Sequence, residues 1–157
     1  PAGAHLRAIF PLEGPNGSGL SPDGEQLYVA ESTTGRIWAF EIAGPGEIRR
    51  HRHAQGWERG HMLWAPDYYC VLDSLAVDSG GTVRVPAIRR GAISVISREA
   101  RRIAHLPMGD ALTTNICFGG PDLRTAYVTL SATGRLVSLP WPRPGLPLEW
   151  LNRNCTV

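Results

Sequence analysis

The 157 residues carry sixteen basic and fourteen acidic side chains, a formal charge of +2, with 43% hydrophobic and 19% charged residues. The arginines are scattered or paired, as at Arg49-Arg50, Arg89-Arg90 and Arg101-Arg102, so no basic stripe exists to track nucleic acid. No run approaches the ~18 apolar residues of a membrane helix, and Pro1-Ala2-Gly3-Ala4-His5 lacks the charged-then-apolar order of a secretion signal. Nucleic acid and membrane are therefore not expected partners, and the chain reads as a soluble protein of the cytoplasm. Cys70, Cys117 and Cys155 are too few and too far apart for a disulfide framework or a CxxC metal site, and are expected to be buried thiols.

Along the chain one grammar occurs three times. The first copy begins at Asn16-Gly17-Ser18-Gly19-Leu20, turns at Ser21-Pro22-Asp23-Gly24, returns as Leu27-Tyr28-Val29-Ala30, turns at Thr34-Gly35 and continues as Arg36-Ile37-Trp38-Ala39-Phe40. Pro and Asp initiate the reversals and Gly completes them. A poorer fourth strand is expected near Glu47 to His53.

Residues 55–69 are an inserted loop, because the second copy starts further from the first than the third does from the second. It carries Trp57, His61, Trp64, Tyr68 and Tyr69, and is read either as a lid or substrate wall or as a packed surface loop. His51, His53 and His61 match no zinc spacing and are assigned to an exposed outer strand.

The second copy runs through Asp73-Ser74-Leu75-Ala76-Val77, the turn at Asp78-Ser79-Gly80-Gly81, Val83-Arg84-Val85, the Arg90-Gly91 turn and Ala92-Ile93-Ser94-Val95-Ile96 to a fourth strand near Arg102 to Leu106. Pro86 removes a ladder donor, so its strand is expected to end early or bulge. The third copy runs through Thr114-Asn115-Ile116-Cys117-Phe118, Ala126-Tyr127-Val128-Thr129 and Arg135-Leu136-Val137-Ser138-Leu139, with a fourth strand near Leu148 to Leu151. Helical periodicity is absent throughout.

Four antiparallel strands recurring every forty to fifty-five residues or so are the mark of propeller blades. The expected fold is all-β: one partial β-propeller domain over residues 1–157, with three four-stranded blades at about 12–54, 70–108 and 111–152. In that fold the first strand of each blade lines a central channel, which places Asn16, Asp73 and Thr114 at equivalent positions around one mouth. The turns at Glu31 to Thr34, Arg89-Arg90 and Leu130 to Thr133 form its rim, and Glu31, Trp64 and Thr114 are candidate substrate contacts. An amide oxygen and a carboxylate without Cys or His neighbours suit a hard divalent cation. Asn-Gly and Asp-Ser are equally ordinary turn formers, and spacing alone leaves both readings open.

Gly14-Pro15-Asn16-Gly17, Leu20-Ser21-Pro22-Asp23-Gly24 with Leu27-Tyr28-Val29-Ala30, Asp73-Ser74-Leu75-Ala76-Val77-Asp78, the block from Thr114 to Thr125, and Trp141-Pro142-Arg143-Pro144-Gly145-Leu146 form an ordered set. Together they resemble the C-terminal half of the gluconolactonase, regucalcin (senescence marker protein) and luciferin-regenerating enzyme family. The resemblance implies a six-bladed propeller and a metal-dependent hydrolase that opens a sugar lactone. It matches Asn16 to a metal-binding asparagine, and Asp73 to an aspartate that binds metal and acts as general base. It implies a divalent ion, Ca²⁺ first, with Zn²⁺, Mg²⁺ or Mn²⁺ as alternatives. A further glutamate ligand of the family lies upstream of any residue in this chain, so the site is expected to be incomplete, and a chain beginning at Pro1 is expected to be a truncated or processed form. The alternatives are a non-catalytic binding or scaffold propeller and an inactive fragment. Exposed blade edges imply self-association.

Overall fold

The structure, a computed structural model, describes residues 10–49, 51–52 and 58–148. Every regular element among them is a strand, and no helix there is long and apolar enough to cross a membrane.

The first sheet is a meander of β1 (Pro15–Leu20), β2 (Gln26–Glu31) and β3 (Arg36–Gly44). Opposite Tyr28 stands Ala39 and opposite Ala30 stands Ile37, so one face of the β2–β3 ladder is apolar and buried. The fourth strand differs from the expectation. β4 (Glu47–Ile48) only folds back on the end of β3, closing a hairpin at Pro45-Gly46. β5 (His51–Arg52) and β6 (Glu58–Arg59) pair with each other, and the outer strand along β3 is β7 (His61–Trp64), within the segment read as an insertion. The reason is burial. Past Ile48 the sequence to residue 53 offers only Arg and His, whereas β7 contributes Leu63, 6% exposed and part of the core. Burying such a side chain stabilises by about 1.5–3 kcal/mol. His61 is exposed, as an outer-strand histidine should be. Trp57 lies outside the described residues.

The second sheet holds β8 (Val71–Leu72), β9 (Ala76–Val77), β10 (Val83–Ile88), β11 (Ala92–Ile96) and β12 (Ile103–Pro107). β10 neither stops nor bulges at Pro86, which sits in register opposite Ile93. The irregularity falls on its other neighbour: residues 73–75, between β8 and β9, stand against Val85 and Pro86, where the ladder is interrupted. A missing N–H is tolerated where pairing has lapsed.

The third sheet contains β13 (Thr113–Gly119), β14 (Thr125–Leu130) and β15 (Arg135–Pro140). Its expected fourth strand begins at Leu148, which is exposed, and residues 149–151 lie outside the described ones. After β15 the chain returns beneath the second sheet, where Ser79 donates to the Pro144 carbonyl and Leu146 to that of Val77.

The sheets pack side by side. Tyr28, Ile37 and Leu63 of the first share a core with Leu72, Val83 and Val85 of the second. Ile93 of the second shares another with Ile116, Val128 and Trp141 of the third. The middle sheet is covered on both faces, which is why β10 is buried almost throughout. The far face of the third sheet is open: Cys117, Tyr127 and Leu136 lie exposed on it. Cys70 is a buried thiol as expected, whereas Cys117 is exposed, because no sheet among the described residues covers that face, and Cys155 lies outside the described residues.

Candidate functional site

The first strand of every sheet carries one residue too many for its partner. In β1, Pro15 pairs with Glu31 and Ser18 with Val29, so Asn16 and Gly17 together face Ala30. In the second sheet Leu72 pairs with Ala87 and Ala76 with Arg84, which leaves Asp73, Ser74 and Leu75 opposite two residues. In β13, Thr113 pairs with Leu130 and Asn115 with Thr129, so Thr114 has no partner. Asn16, Asp73 and Thr114 thus sit in three corresponding bulges, and a bulge bends its strand and re-aims the side chains on it.

The bulges are fastened to one another. Gly17 N–H donates to the Asp73 carbonyl at 3.2 Å. The Ser74 hydroxyl donates to Asn115 Oδ1 at 2.6 Å and lies 3.3 Å from the Thr114 carbonyl. The turns after the second strands close over the same end, with Ser32 N–H donating to the Gly14 carbonyl, Arg89 N–H to Ala111 and Ser131 N–H to Leu112. Ser32 orients Asn16. Its one hydroxyl proton goes to the Leu72 carbonyl at 2.6 Å, so it accepts from Asn16 Nδ2 at 3.2 Å, which leaves Asn16 Oδ1 without a donor among the described residues. Asn16 is exposed and Asp73 half-buried, and among the described residues no group hydrogen-bonds the Asp73 carboxylate. The third member differs: Thr114 Oγ1 lies 2.8 Å from Thr129 Oγ1 and 2.9 Å from Ser131 Oγ, and serves to fasten its own sheet.

Two other candidates take different places. Glu31 does not stand on the rim. It is 3% exposed and accepts hydrogen bonds from the Glu13 N–H at 2.7 Å and the Thr34 hydroxyl at 2.5 Å. Burial pushes its carboxyl up, but these donors prevail and hold it below the usual carboxylate value. Trp64 lies on the outer strand β7, three strands away from β1, with its ring 6.2 Å from that of His105 in β12. The exposed aromatic on the rim side is instead Tyr69, which carries the Arg89 guanidinium 5.5 Å above its ring.

Ser74 and Asp110 were missed by sequence reasoning. Asp110 is 4% exposed and collects the Thr133 hydroxyl at 2.6 Å, the Leu112 N–H at 2.8 Å and the Thr133 N–H at 2.9 Å. The Thr133 hydroxyl first, with these N–H groups, lowers its pKa against the effect of burial. Met108-Gly109-Asp110 reads as a turn, and the Thr133 groups that make Asp110 a cap lie 23 positions ahead. Ser74 reads as a turn former until the third sheet is placed beside it.

Among the described residues no three His, Cys, Asp or Glu side chains gather. The site therefore offers a carboxylate and an amide oxygen, a hard-oxygen pair that fits part of a cation shell.

The sequence profile described as SMP-30/Gluconolactonase/LRE-like region matches residues 2–132. A pentonolactonase of Haloferax volcanii is 24% identical over 118 residues, covering 73% of this chain and 37% of that protein. The structure of a gluconolactonase from Xanthomonas campestris superposes with a TM-score of 0.69 at 24% identity, covering 90% of this chain and 42% of the other. A regucalcin from Agrobacterium tumefaciens, described as calcium-binding, superposes with a TM-score of 0.63 at 18% identity, over 85% of this chain and 50% of the other. These superpositions establish a shared fold, and the chain spans at most half of each of these three proteins. With a profile match over most of its length, the chain belongs to the SMP-30/gluconolactonase/LRE-like family.

Proposed function

We propose that this chain supplies part of the active site of a sugar-lactone hydrolase, its three sheets being three blades of a six-bladed β-propeller. The observation that carries the reading is the contact between bulges, in which Gly17 N–H meets the Asp73 carbonyl and an amide oxygen and a carboxylate that have no donor among the described residues stand on adjoining bulges.

Asn16 and Asp73 would hold a divalent cation, Ca²⁺ by preference for an all-oxygen set, and when bound it supplies polarisation of the ester carbonyl and a more acidic water. Asp73 accepts the proton of the attacking water, a role open to it because no donor among the described residues occupies its oxygens. Ser32 keeps Asn16 Oδ1 turned outward. Tyr69 and Arg89 on the rim offer a face and donors for sugar hydroxyls. Two donors make a weak site, since affinity for a hard cation follows the number of charged oxygens. The remaining ligands would come from another segment, and the open face at Tyr127 and Leu136 is where further blades or a second copy would pack.

The test is calorimetric titration of Ca²⁺ and Zn²⁺ into the chain and into its Asp73→Asn and Asn16→Ala variants, with acid release from gluconolactone followed in the longer protein that carries this segment. Binding and hydrolysis that both disappear in Asp73→Asn, with the melting temperature unchanged, support the reading. Hydrolysis indifferent to chelator and to Asp73→Asn overturns it.

A further inference from the structure

At the end of the strands opposite the bulges lies a cavity of about 640 Å³ that the lactonase reading does not use. It is bounded by the β9–β10 turn, the β11–β12 turn and the segment after β15. Arg84, Arg98, Arg101, Arg102 and Arg143 line it, with Glu99 as the one acid in the wall. Asp78 and Asp23 stand nearby but are engaged. Asp78, fully buried, pairs with Arg84 at 2.5 Å and accepts the Gly80 and Thr82 N–H groups at 2.9 Å each, while Asp23 pairs with Arg98 at 2.7 Å. Five guanidiniums therefore face three carboxylates, and among the described residues no carboxylate pairs with Arg101 or Arg102.

The floor supplies an independent observation. Arg84 is 6% exposed and its guanidinium is held 5.2 Å over the ring of Trp141, yet its Nε–H is buried without a hydrogen-bond acceptor. A buried unpaired donor costs free energy, and it marks Arg84 as a guanidinium whose hydrogen-bonding capacity Asp78 does not exhaust. Arg143 closes one side by lying across Gly80, where an added Cβ would fall 1.8 Å from Arg143 Nη1. Only a residue without a side chain lets that guanidinium sit so low.

We infer that this cavity is an anion site that takes a phosphate group, free or carried by a small metabolite. Converging guanidiniums present paired N–H donors that match the oxygens of a dianion, and the excess of positive charge equals the charge such a group brings. The site is built from the second sheet and the segment after β15, so it does not depend on the lactonase reading.

The experiment is calorimetric titration of the full chain with inorganic phosphate, with glycerol phosphate and with a single-stranded oligonucleotide series of increasing length, at constant ionic strength. Saturable one-to-one binding of inorganic phosphate or glycerol phosphate, weakened about tenfold by Arg143→Glu or Arg102→Glu at unchanged melting temperature, supports the site. Tighter binding of glycerol phosphate assigns it to a phosphorylated metabolite, and equal binding to free phosphate. No saturation at millimolar concentrations, or equal affinity in both variants, overturns it. Oligonucleotide binding that strengthens with length while the small phosphates fail to bind overturns it in favour of nucleic acid.

Discussion

The Gly17 N–H lies 3.2 Å from the Asp73 carbonyl oxygen, and a Cβ built on Gly17 would stand 2.4 Å from the backbone nitrogen of Leu75 and 2.5 Å from the carbonyl carbon of Ser74. Both neighbours are backbone atoms, so a methyl group there cannot be relieved by a rotamer change. Gly17→Ala is expected to separate the first two sheets at the site, to lower stability by about 1–3 kcal/mol and to weaken metal binding. Urea unfolding and calorimetric titration check the two effects separately, and unchanged stability would show that the bulges are not tightly apposed.

Ser32 links Asn16 Nδ2 to the Leu72 carbonyl, and so fixes the amide by one hydroxyl. Ser32→Ala should cost about 1 kcal/mol for the lost hydrogen bonds. It should also reduce metal affinity about tenfold, as removal of an outer-shell partner does. Ser32→Thr, which retains the hydroxyl, is expected to recover most of the affinity.

Arg84 and Asp78 form a buried ion pair, 7% and 0% exposed at their side chains. Arg84→Ala removes the close partner of the buried Asp78 carboxylate, leaving it the Gly80 and Thr82 N–H groups and Arg143 Nε at 3.9 Å, and should destabilise the fold by about 3–5 kcal/mol. Denaturant midpoints at neutral pH measure this. A loss below about 1 kcal/mol, the range of exposed pairs, would contradict the burial assigned to the pair.

Asp23 has its pKa lowered from 3.8 to about 2, first by the Ser21 hydroxyl, then by the Glu25 N–H and by Arg98. A carboxylate depressed on folding contributes stability that is complete above its unfolded value and is lost as pH falls through the folded one. The contribution of Asp23 should therefore persist down to about pH 4 and disappear towards pH 2. Carbon-detected titration of the Asp23 carboxyl reads the midpoint directly, and Arg98→Ala should move it upward.

The three meanders were legible in the sequence because their causes are local. Pro22-Asp23-Gly24 and Thr34-Gly35 supply the reversals, and the short apolar runs Leu27 to Ala30 and Ile37 to Phe40 between them mark the strands. The placement of Asn16, Asp73 and Thr114 at equivalent positions followed from overlaying the copies. Their occurrence in bulges did not, because a bulge is a count of residues against a partner strand. Glu31 illustrates the same gap: nothing nearby distinguishes a rim carboxylate from one that caps Glu13 and Thr34 from within.

The sequence by itself determined the all-β class, the three repeats and the equivalence of Asn16 with Asp73, since turn chemistry and strand alternation act over a few residues. Only the tertiary structure decided that β7 pairs with residues 37–39 of β3 while β4 pairs with its end, that Pro86 rests opposite an interrupted ladder, and that Arg143 joins four arginines of the second sheet around one cavity. The first of these was settled by which segment could bury Leu63, the second by which neighbour had no pairing to lose, and the third by the return of residues 141–146 beneath the second sheet. Each depends on contacts between segments far apart in the chain, which no local pattern encodes.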